Sequence, residues 1–329
     1  MNRFTHRSVP GVDSFWCRLP RPFFALAPMA DVTDVAFRTM FARHGRPDVF
    51  WTEFVSADGL CSPGREVLRA DLLFEEDQRP IVAQLFTATP AHMYEAGCLV
   101  RDLGFDGLDI NMGCPDRTIM KQGSGAALIS TPSVAADLIA AAKRSGLPVS
   151  VKTRIGDSRE EIDSWIPTLL QCDIAALTVH LRTRKELSAV AAHWDVMPRI
   201  VALRDAIAPR TVLVSNGGVT SRADGVRRVR EYGCDGVMVG RGVFGNPWFF
   251  NPEIAKEDLT IHECLEALLE HTRLFEEMLP MKHFFILKKH YKAYMQGFPD
   301  SKNLRTDLLC NAMDADAVSE RVRQYLAQV

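Results

Sequence analysis

One cysteine has the most informative surroundings in the chain. Cys114 follows an apolar, strand-like run and precedes Pro115, so a stiff turn would present its thiol at the end of that strand. An unperturbed thiol has a pKa of about 8.5, is mostly protonated at neutral pH and can donate a proton. We therefore interpret Cys114 as a candidate general acid. The alternatives are a hydrolytic nucleophile assisted by His180 and Asn111, and an inert buried cysteine.

Polar residues stand near the carboxyl ends of six consecutive strand-like runs. They are Glu53, Gln84, Asn111, Lys152, His180 and Asn216. Burying so many polar groups without hydrogen-bond partners would be costly, so they require something shared to bond to. A polar bound cofactor satisfies them together, whereas a loop backbone could satisfy any one of them alone.

Glycine-rich sequences end the last two runs, NGG at 216–218 and GRG at 240–242. Glycine lets the backbone N–H groups approach a phosphate closely, and Arg241 can bind phosphate oxygens through two hydrogen bonds. The string GRGVFG also fits the dinucleotide pattern G-x-G-x-x-G. That pattern needs an opening βαβ unit and a later acidic residue, whereas here it closes the series of runs, so we interpret the match as accidental.

Eight such runs position these residues. They span residues 23–29, 49–55, 80–86, 107–114, 148–156, 174–182, 211–219 and 236–243. Amphipathic stretches such as 90–103, 132–143 and 222–232 separate them and have the length of crossover helices. The alternation predicts an α/β fold, a parallel (β/α)8 TIM barrel whose chemistry lies at the carboxyl ends of its strands. A doubly wound open sheet is the alternative.

The pattern changes after Pro247 and Pro252, because residues 260–329 show helical periodicity without a strand-like run. We therefore predict an N-terminal extension (1–22), a catalytic barrel (23–250) and an all-helical C-terminal domain (260–329).

Residues 282–298 form a predicted amphipathic helix in that domain. Phe284, Leu287, Tyr291, Tyr294 and Phe298 fall on one side, and Lys282, Lys289 and Lys292 fall largely opposite. We expect these three lysines to form a basic face that binds RNA phosphates. A solvated helix surface is the alternative.

The composition confines any nucleic-acid site to such a local patch. The 329 residues hold 39 Lys and Arg against 41 Asp and Glu, which excludes a strongly basic nucleic-acid-binding protein. Eight cysteines occur without a C-x-x-C pair or a Cys/His cluster, so we expect no metal site. Since no signal peptide or membrane-spanning run is evident, we expect a cytoplasmic protein. We also expect it to be a monomer.

The motifs together resemble the tRNA-dihydrouridine synthase family. The resemblance extends from LAPMADVTDVAFR (26–38) through AQLF, GLDINMGCP, VKTRIG, SNGGV and GVMVGRG to KKHYKAYMQGFPDSKNLR (288–305). It implies a barrel that binds FMN and reduces the C5=C6 bond of uridine in tRNA, with NADPH as the reductant of the flavin.

The resemblance also implies roles for individual residues. Pro28, Met29, Ala30, Gln84, Lys152 and His180 would contact the flavin ring, and Asn216, Gly217, Gly218, Gly240 and Arg241 would hold its phosphate. Cys114 would be the proton donor, and Asn111, Arg154 and Arg182 match family positions near the uracil. The chain departs from the family at Leu181, where HLRT replaces the usual HGRT.

Two other functions remain open at this point. A small-molecule flavin reductase of the dihydroorotate dehydrogenase type would not need the basic helix. A catalytically inactive RNA-binding protein would not need Cys114, Lys152 and His180.

Overall fold

The computed structural model describes residues 14–328. Its strands are β1 (Phe23–Leu26), β2 (Phe50–Ser56), β3 (Ile81–Phe86), β4 (Gly107–Met112), β5 (Val149–Arg154), β6 (Ala176–His180), β7 (Val212–Asn216) and β8 (Gly236–Val239). Every strand lies inside a predicted run or extends one residue past it, so the eight predicted strands are confirmed.

The strands form one closed parallel sheet. They pair in the order β1–β8–β7–β6–β5–β4–β3–β2. The two ends of this order meet at a parallel bridge between Ala25 and Val49, and the Leu26 N–H donates to the Val49 carbonyl at 3.1 Å. This closure confirms the predicted barrel and excludes the open sheet.

Helices cover the outside of the barrel. They are α1 (Val35–His44), α2 (Ala57–Leu60), α3 (Arg65–Leu68), α4 (Pro90–Asp102), α5 (Arg117–Lys121), α6 (Pro132–Lys143), α7 (Ile162–Leu170), α8 (Met197–Ile207) and α9 (Arg222–Tyr232). The three crossover helices named from the sequence correspond to α4, α6 and α9. Their limits have local causes, since α4 and α6 begin at a proline, and Gly233, with a φ of 78°, ends α9.

The amino ends of the strands are closed by the segment before β1. Phe15 and Trp16 are buried, and the Trp16 ring lies 5.7 Å from the Trp51 ring of β2. This part of the predicted N-terminal extension therefore belongs to the barrel core, while residues 1–13 lie outside the described residues.

No single helix within residues 14–328 is long and apolar enough to cross a membrane. The segments Arg117–Ser130 and Pro132–Lys143 reach that length and apolar composition only together, and the chain bends by 100° between them.

The chain after the barrel is helical, as predicted. It contains α10 (Ile261–Met278), α11 (Tyr291–Tyr294), α12 (Ser301–Asn311) and α13 (Ala315–Leu326), with a 3-10 helix at Phe284–His290. This helical region shares a hydrophobic core with Val35, Ala36 and Met40 of α1. The first helix of the barrel therefore anchors it.

The predicted basic face needs one correction. Lys289 and Lys292 are exposed, but the Nζ of Lys282 lies 2.8 Å from a Glu53 carboxylate oxygen and 2.7 Å from an Asp71 carboxylate oxygen. Lys282 precedes His283, the N-cap of the 3-10 helix, so it leaves the helical face and turns toward the barrel. The prediction that Lys282 is an exposed phosphate ligand is therefore wrong, and the basic face consists of Lys289 and Lys292.

Candidate active site

A cavity of about 620 Å³ opens at the carboxyl ends of β1 and β5 to β8. Its size lies in the range of small-molecule and cofactor sites. Predicted site residues that line it are Pro28, Met29, Lys152, Arg154, His180, Arg182, Asn216, Gly217, Gly218, Gly240 and Arg241. The carboxyl ends of the strands thus bring most of the predicted ligand-binding residues together, as expected for a barrel of this kind.

The turn after β7 provides a wall without side chains. Gly217 and Gly218 have φ angles of 131° and 69°, which residues with a Cβ adopt with strain. A Cβ on Gly217 would lie 3.2 Å from the His180 ring and 3.3 Å from an Arg182 guanidinium nitrogen. The absence of side chains therefore leaves room for a ligand group against the backbone.

The lining carries four cationic side chains, Lys152, Arg154, Arg182 and Arg241, and among residues 14–328 no acidic residue lines the cavity. Burial, reinforced by the charge of Arg154, lowers the pKa of Lys152 to about 8. Burial likewise lowers the pKa of Arg154 to about 10. None of these four side chains forms an ion pair with a carboxylate of residues 14–328, and their shared positive charge makes the cavity suitable for an anionic ligand.

His180 is neutral in this environment. Burial lowers its pKa far below the ordinary value, and the charges of Lys152 and Arg154 act in the same direction. An Arg182 guanidinium nitrogen lies 2.9 Å from His180 Nε2. Since arginine can only donate, Nε2 accepts this hydrogen bond and the ring proton sits on Nδ1.

A hydrogen-bonded relay fixes the backbone at Cys114. The Asn111 Oδ1 accepts hydrogen bonds from the N–H groups of Gly113 (3.1 Å) and Cys114 (2.9 Å). The Asn111 amide donates to Gln84 Oε1 at 2.9 Å, and the Gln84 amide donates to Asp109 at 2.6 Å. The relay orients the cysteine from inside the barrel.

Gln84 and Asn111 therefore have structural partners in this relay, and their predicted contacts with the flavin ring and the uracil stay predictions. Gln84 is fully buried, Asn111 is nearly so, and neither lines the cavity, because their amide groups bond to each other. Asp109 was missed because it lies within the apolar run LDIN. Its position two residues before Asn111 on β4, and so on the same face of the strand, is the signal that could have revealed it.

Cys114 lies next to the cavity, and the following residue, Pro115, lines it. Burial raises the pKa of the thiol, although the charges of Arg154 and Lys152 oppose the shift. Gly125, with a φ of 62°, packs against Cys114 so closely that a Cβ would lie 2.8 Å from its carbonyl oxygen. The thiol is therefore protonated at neutral pH and held by a tightly packed loop.

Arg154 and Arg182 hold the loops at the cavity entrance. Arg154 donates to the Gly113 carbonyl (2.8 Å) and to the Leu187 carbonyl (3.0 Å), so it connects the cysteine loop with the loop after β6. Arg182 donates to the Val190 carbonyl at 2.7 Å. Leu187 and Ser188 of the second loop line the cavity, which the sequence analysis missed.

The other predicted residues lie around the entrance. Ala30 is exposed directly beside Met29 but does not line the cavity. Lys289 Nζ lies 3.8 Å from Asp31, so the basic face begins beside the β1 loop. Leu181, the departure from the family motif, is fully buried in the barrel core and has no positive φ, so the backbone at this position does not require a glycine.

The cavity fits the phosphate of a flavin mononucleotide. The bare backbone at Gly217 and Gly218 leaves space for phosphate oxygens, and the exposed guanidinium of Arg241 beside them has no hydrogen bond or ion pair to any residue of 14–328. The unneutralised cations of the lining match a dianionic group.

Comparisons with known proteins identify the family. The family model described as dihydrouridine synthase (Dus) matches residues 25–328. The probable tRNA-dihydrouridine synthase 2 of Bacillus subtilis (strain 168) is 44% identical over 313 residues, which cover 93% of this chain and 94% of that protein. A probable tRNA-dihydrouridine synthase of Staphylococcus aureus (strain MRSA252) is 43% identical over 309 residues, with the same coverage of each chain.

A solved structure supports the fold. A 2-naphthoyl-CoA reductase in complex with 2-naphthoyl-CoA superimposes with a TM-score of 0.53 and 9% identity, over 69% of this chain and 49% of that one. This chain thus matches about half the length of the reductase, and the likeness concerns the fold alone. The family match and the two bacterial relatives show that the chain belongs to the dihydrouridine synthase family of flavin-dependent oxidoreductases.

Proposed function

We propose that this protein is an FMN- and NADPH-dependent tRNA-dihydrouridine synthase, with Cys114 as the general acid. The observation that carries the proposal is the meeting of a cationic, glycine-walled cavity and a protonated thiol at one barrel mouth. The proposal includes a monomeric, cytoplasmic enzyme.

The phosphate of FMN would lie against Gly217, Gly218 and Gly240, with Arg241 and Asn216 completing its site. The remaining lining residues would contact the ring, namely Pro28, Met29, Lys152 and His180, with Ala30 beside them. When bound, the flavin supplies the hydride that adds to C6 of uracil, and NADPH regenerates it.

Cys114 would donate the proton that C5 receives. Its raised pKa keeps the thiol protonated at neutral pH, so a proton is available. After transfer, the nearby charges of Arg154 and Lys152 stabilise the thiolate until a solvent proton replaces the lost one. The Asn111 relay keeps the thiol in place during this exchange.

The uridine must leave its stack to reach the cavity, and the unstacking cost of a few kcal/mol is lowest in a loop of folded RNA. The basic face, Lys289 and Lys292, lies beside the entrance and would bind phosphates of the same RNA. This position supports tRNA rather than a free nucleotide as the substrate.

The test is product formation on an unmodified tRNA transcript. The purified protein is incubated with FMN, NADPH and the transcript, and the digested RNA is analysed by mass spectrometry for nucleosides that have gained two hydrogens. We expect dihydrouridine at defined positions, and none when uridine or orotate replaces the transcript. Reduction of the small molecules but not of the transcript would support the dihydroorotate dehydrogenase type instead. Binding of the transcript without reduction would support the inactive RNA-binding protein.

A further inference from the structure

The turn at residues 29–33 follows β1 and begins with Met29, which lines the cavity. Met29 N–H donates to Thr33 Oγ1 at 2.9 Å, and Thr33 N–H donates to the Met29 carbonyl at 3.0 Å. Asp31 has a φ of 53°, in the left-handed region that non-glycine residues adopt at a cost. A hydrogen bond to the Asp31 backbone from outside the turn would therefore offset this cost and help to keep Met29 at the cavity.

Glu53 provides that contact from β2. The pairing of β2 with β3 shifts register between Trp51 and Phe54, which marks a bulge at the neighbouring residue 53. One carboxylate oxygen of Glu53 accepts a hydrogen bond from the Asp31 N–H at 2.5 Å, and the other accepts from Lys282 Nζ at 2.8 Å. Glu53 does not line the cavity itself.

Lys282 connects this carboxylate to the helical region. It lies between α10 and the 3-10 helix, and its ammonium also contacts Asp71 at 2.7 Å. Lys289, later in the same segment, lies 3.8 Å from the Asp31 carboxylate. The helical region therefore reaches the 29–33 turn twice, once through Glu53 and once directly.

The charges around Glu53 make its ionisation depend on Lys282. The ionisable groups that face it are Asp34, Asp71, Arg38 and Lys282. Burial raises the pKa of Glu53 to about 7, with Asp34 and Asp71 adding to the rise and Lys282 opposing it. The contact with the Lys282 ammonium favours the charged form of Glu53, and a carboxylate is a stronger acceptor for the Asp31 N–H than a neutral carboxyl group.

We propose that Glu53 is a positioning residue that holds the 29–33 turn of the cofactor cavity in place, and that Lys282 of the helical region maintains Glu53 as a carboxylate for this purpose. The inference rests on the proposed function, because FMN is the ligand against which the turn is positioned. Lys282 would therefore contribute to FMN binding through Glu53, without touching the cofactor.

The test measures FMN affinity of the full chain by quenching of flavin fluorescence. Glu53→Ala removes the acceptor, and its FMN Kd should rise roughly tenfold or more. Glu53→Gln keeps a neutral acceptor oxygen and should restore most of the affinity, with a Kd about fivefold above the parent. Lys282→Met should raise the FMN Kd by the same factor as Glu53→Gln. The double variant Glu53→Gln with Lys282→Met should bind FMN no more weakly than either single variant, because both substitutions act on the same hydrogen bond.

Lys288→Met is the matched control. Lys288 lies in the same segment and is buried, but it donates to the Leu309 carbonyl at 2.8 Å, and no carboxylate of residues 14–328 pairs with it. Its loss should leave FMN affinity unchanged even if the helical region becomes less stable. Parent affinity in Glu53→Ala, or equal losses in Lys282→Met and Lys288→Met, would overturn the inference. If Glu53→Ala does not fold, the two lysine variants decide the question alone. A parent protein that binds no FMN would instead contradict the proposed function.

Discussion

Arg241 allows the phosphate site to be tested without disturbing the fold. Its guanidinium is exposed at the cavity and makes no hydrogen bond or ion pair within residues 14–328. It repels Arg182, whose pKa it lowers after the larger effect of burial. The free energy of unfolding of Arg241→Ala should therefore stay within about 0.5 kcal/mol of the parent value. A charge-assisted hydrogen bond to phosphate contributes about 1.5–3 kcal/mol, so the FMN Kd should rise about 10- to 150-fold.

Riboflavin makes this prediction specific, because it has the flavin ring but no phosphate. Fluorescence titrations of the apoprotein should show weaker FMN binding and unchanged riboflavin binding in Arg241→Ala. Arg230→Ala is the control, since Arg230 is an exposed arginine of α9 outside the cavity, and it should bind both flavins like the parent. Equal weakening of FMN and riboflavin, or no change in either, would refute the assignment of the phosphate to Arg241.

Three further predictions concern the cavity, the RNA surface and the core. The pKa of Lys152, lowered to about 8, implies that its charge is present below pH 8 and is lost above it. FMN affinity should therefore fall by up to about tenfold per pH unit as the pH rises past that value, while Lys152→Met shows no such decline. Lys289→Gln with Lys292→Gln should weaken tRNA binding and reduce its log-log salt slope by about 0.7–0.9 per lost contact, whereas Lys256→Gln, an exposed control, should not. Leu181→Ala should lower the free energy of unfolding by about 2–5 kcal/mol in denaturant titrations, with FMN affinity unchanged, because Leu181 packs in the core.

The barrel could be predicted because its signals are local. Each strand is a short apolar run, α4 and α6 begin at a proline, α9 lies between Ser221 and Gly233, and the order of elements leaves few parallel arrangements. The place of the β7-turn glycines and of Arg241 at the cavity could also be predicted from a local signal, because these residues lie just after the ends of β7 and β8.

The contacts that could not be predicted join distant parts of the chain. Gln84 was assigned to the flavin ring by the family resemblance, which gives no sign of its hydrogen-bond partners Asp109 and Asn111. Lys282 was assigned to solvent because a helical wheel contains no information about Glu53, which is 229 positions away in sequence. The contact of Lys282 with Glu53 has no local signature, whereas the spacing of Asp109 and Asn111 on β4 indicates only that they share a face.

The central claim, that Cys114 protonates the uracil reduced in this cavity, is tested most directly by single-turnover measurement. The flavin is first reduced with NADPH without oxygen, the enzyme is then mixed with unmodified tRNA, and dihydrouridine is quantified over time. We predict that Cys114→Ala is reduced by NADPH at the parent rate but forms dihydrouridine about 10²- to 10⁴-fold more slowly, because only protonation of C5 needs the thiol. Dihydrouridine formation by Cys114→Ala at the parent rate would contradict the account.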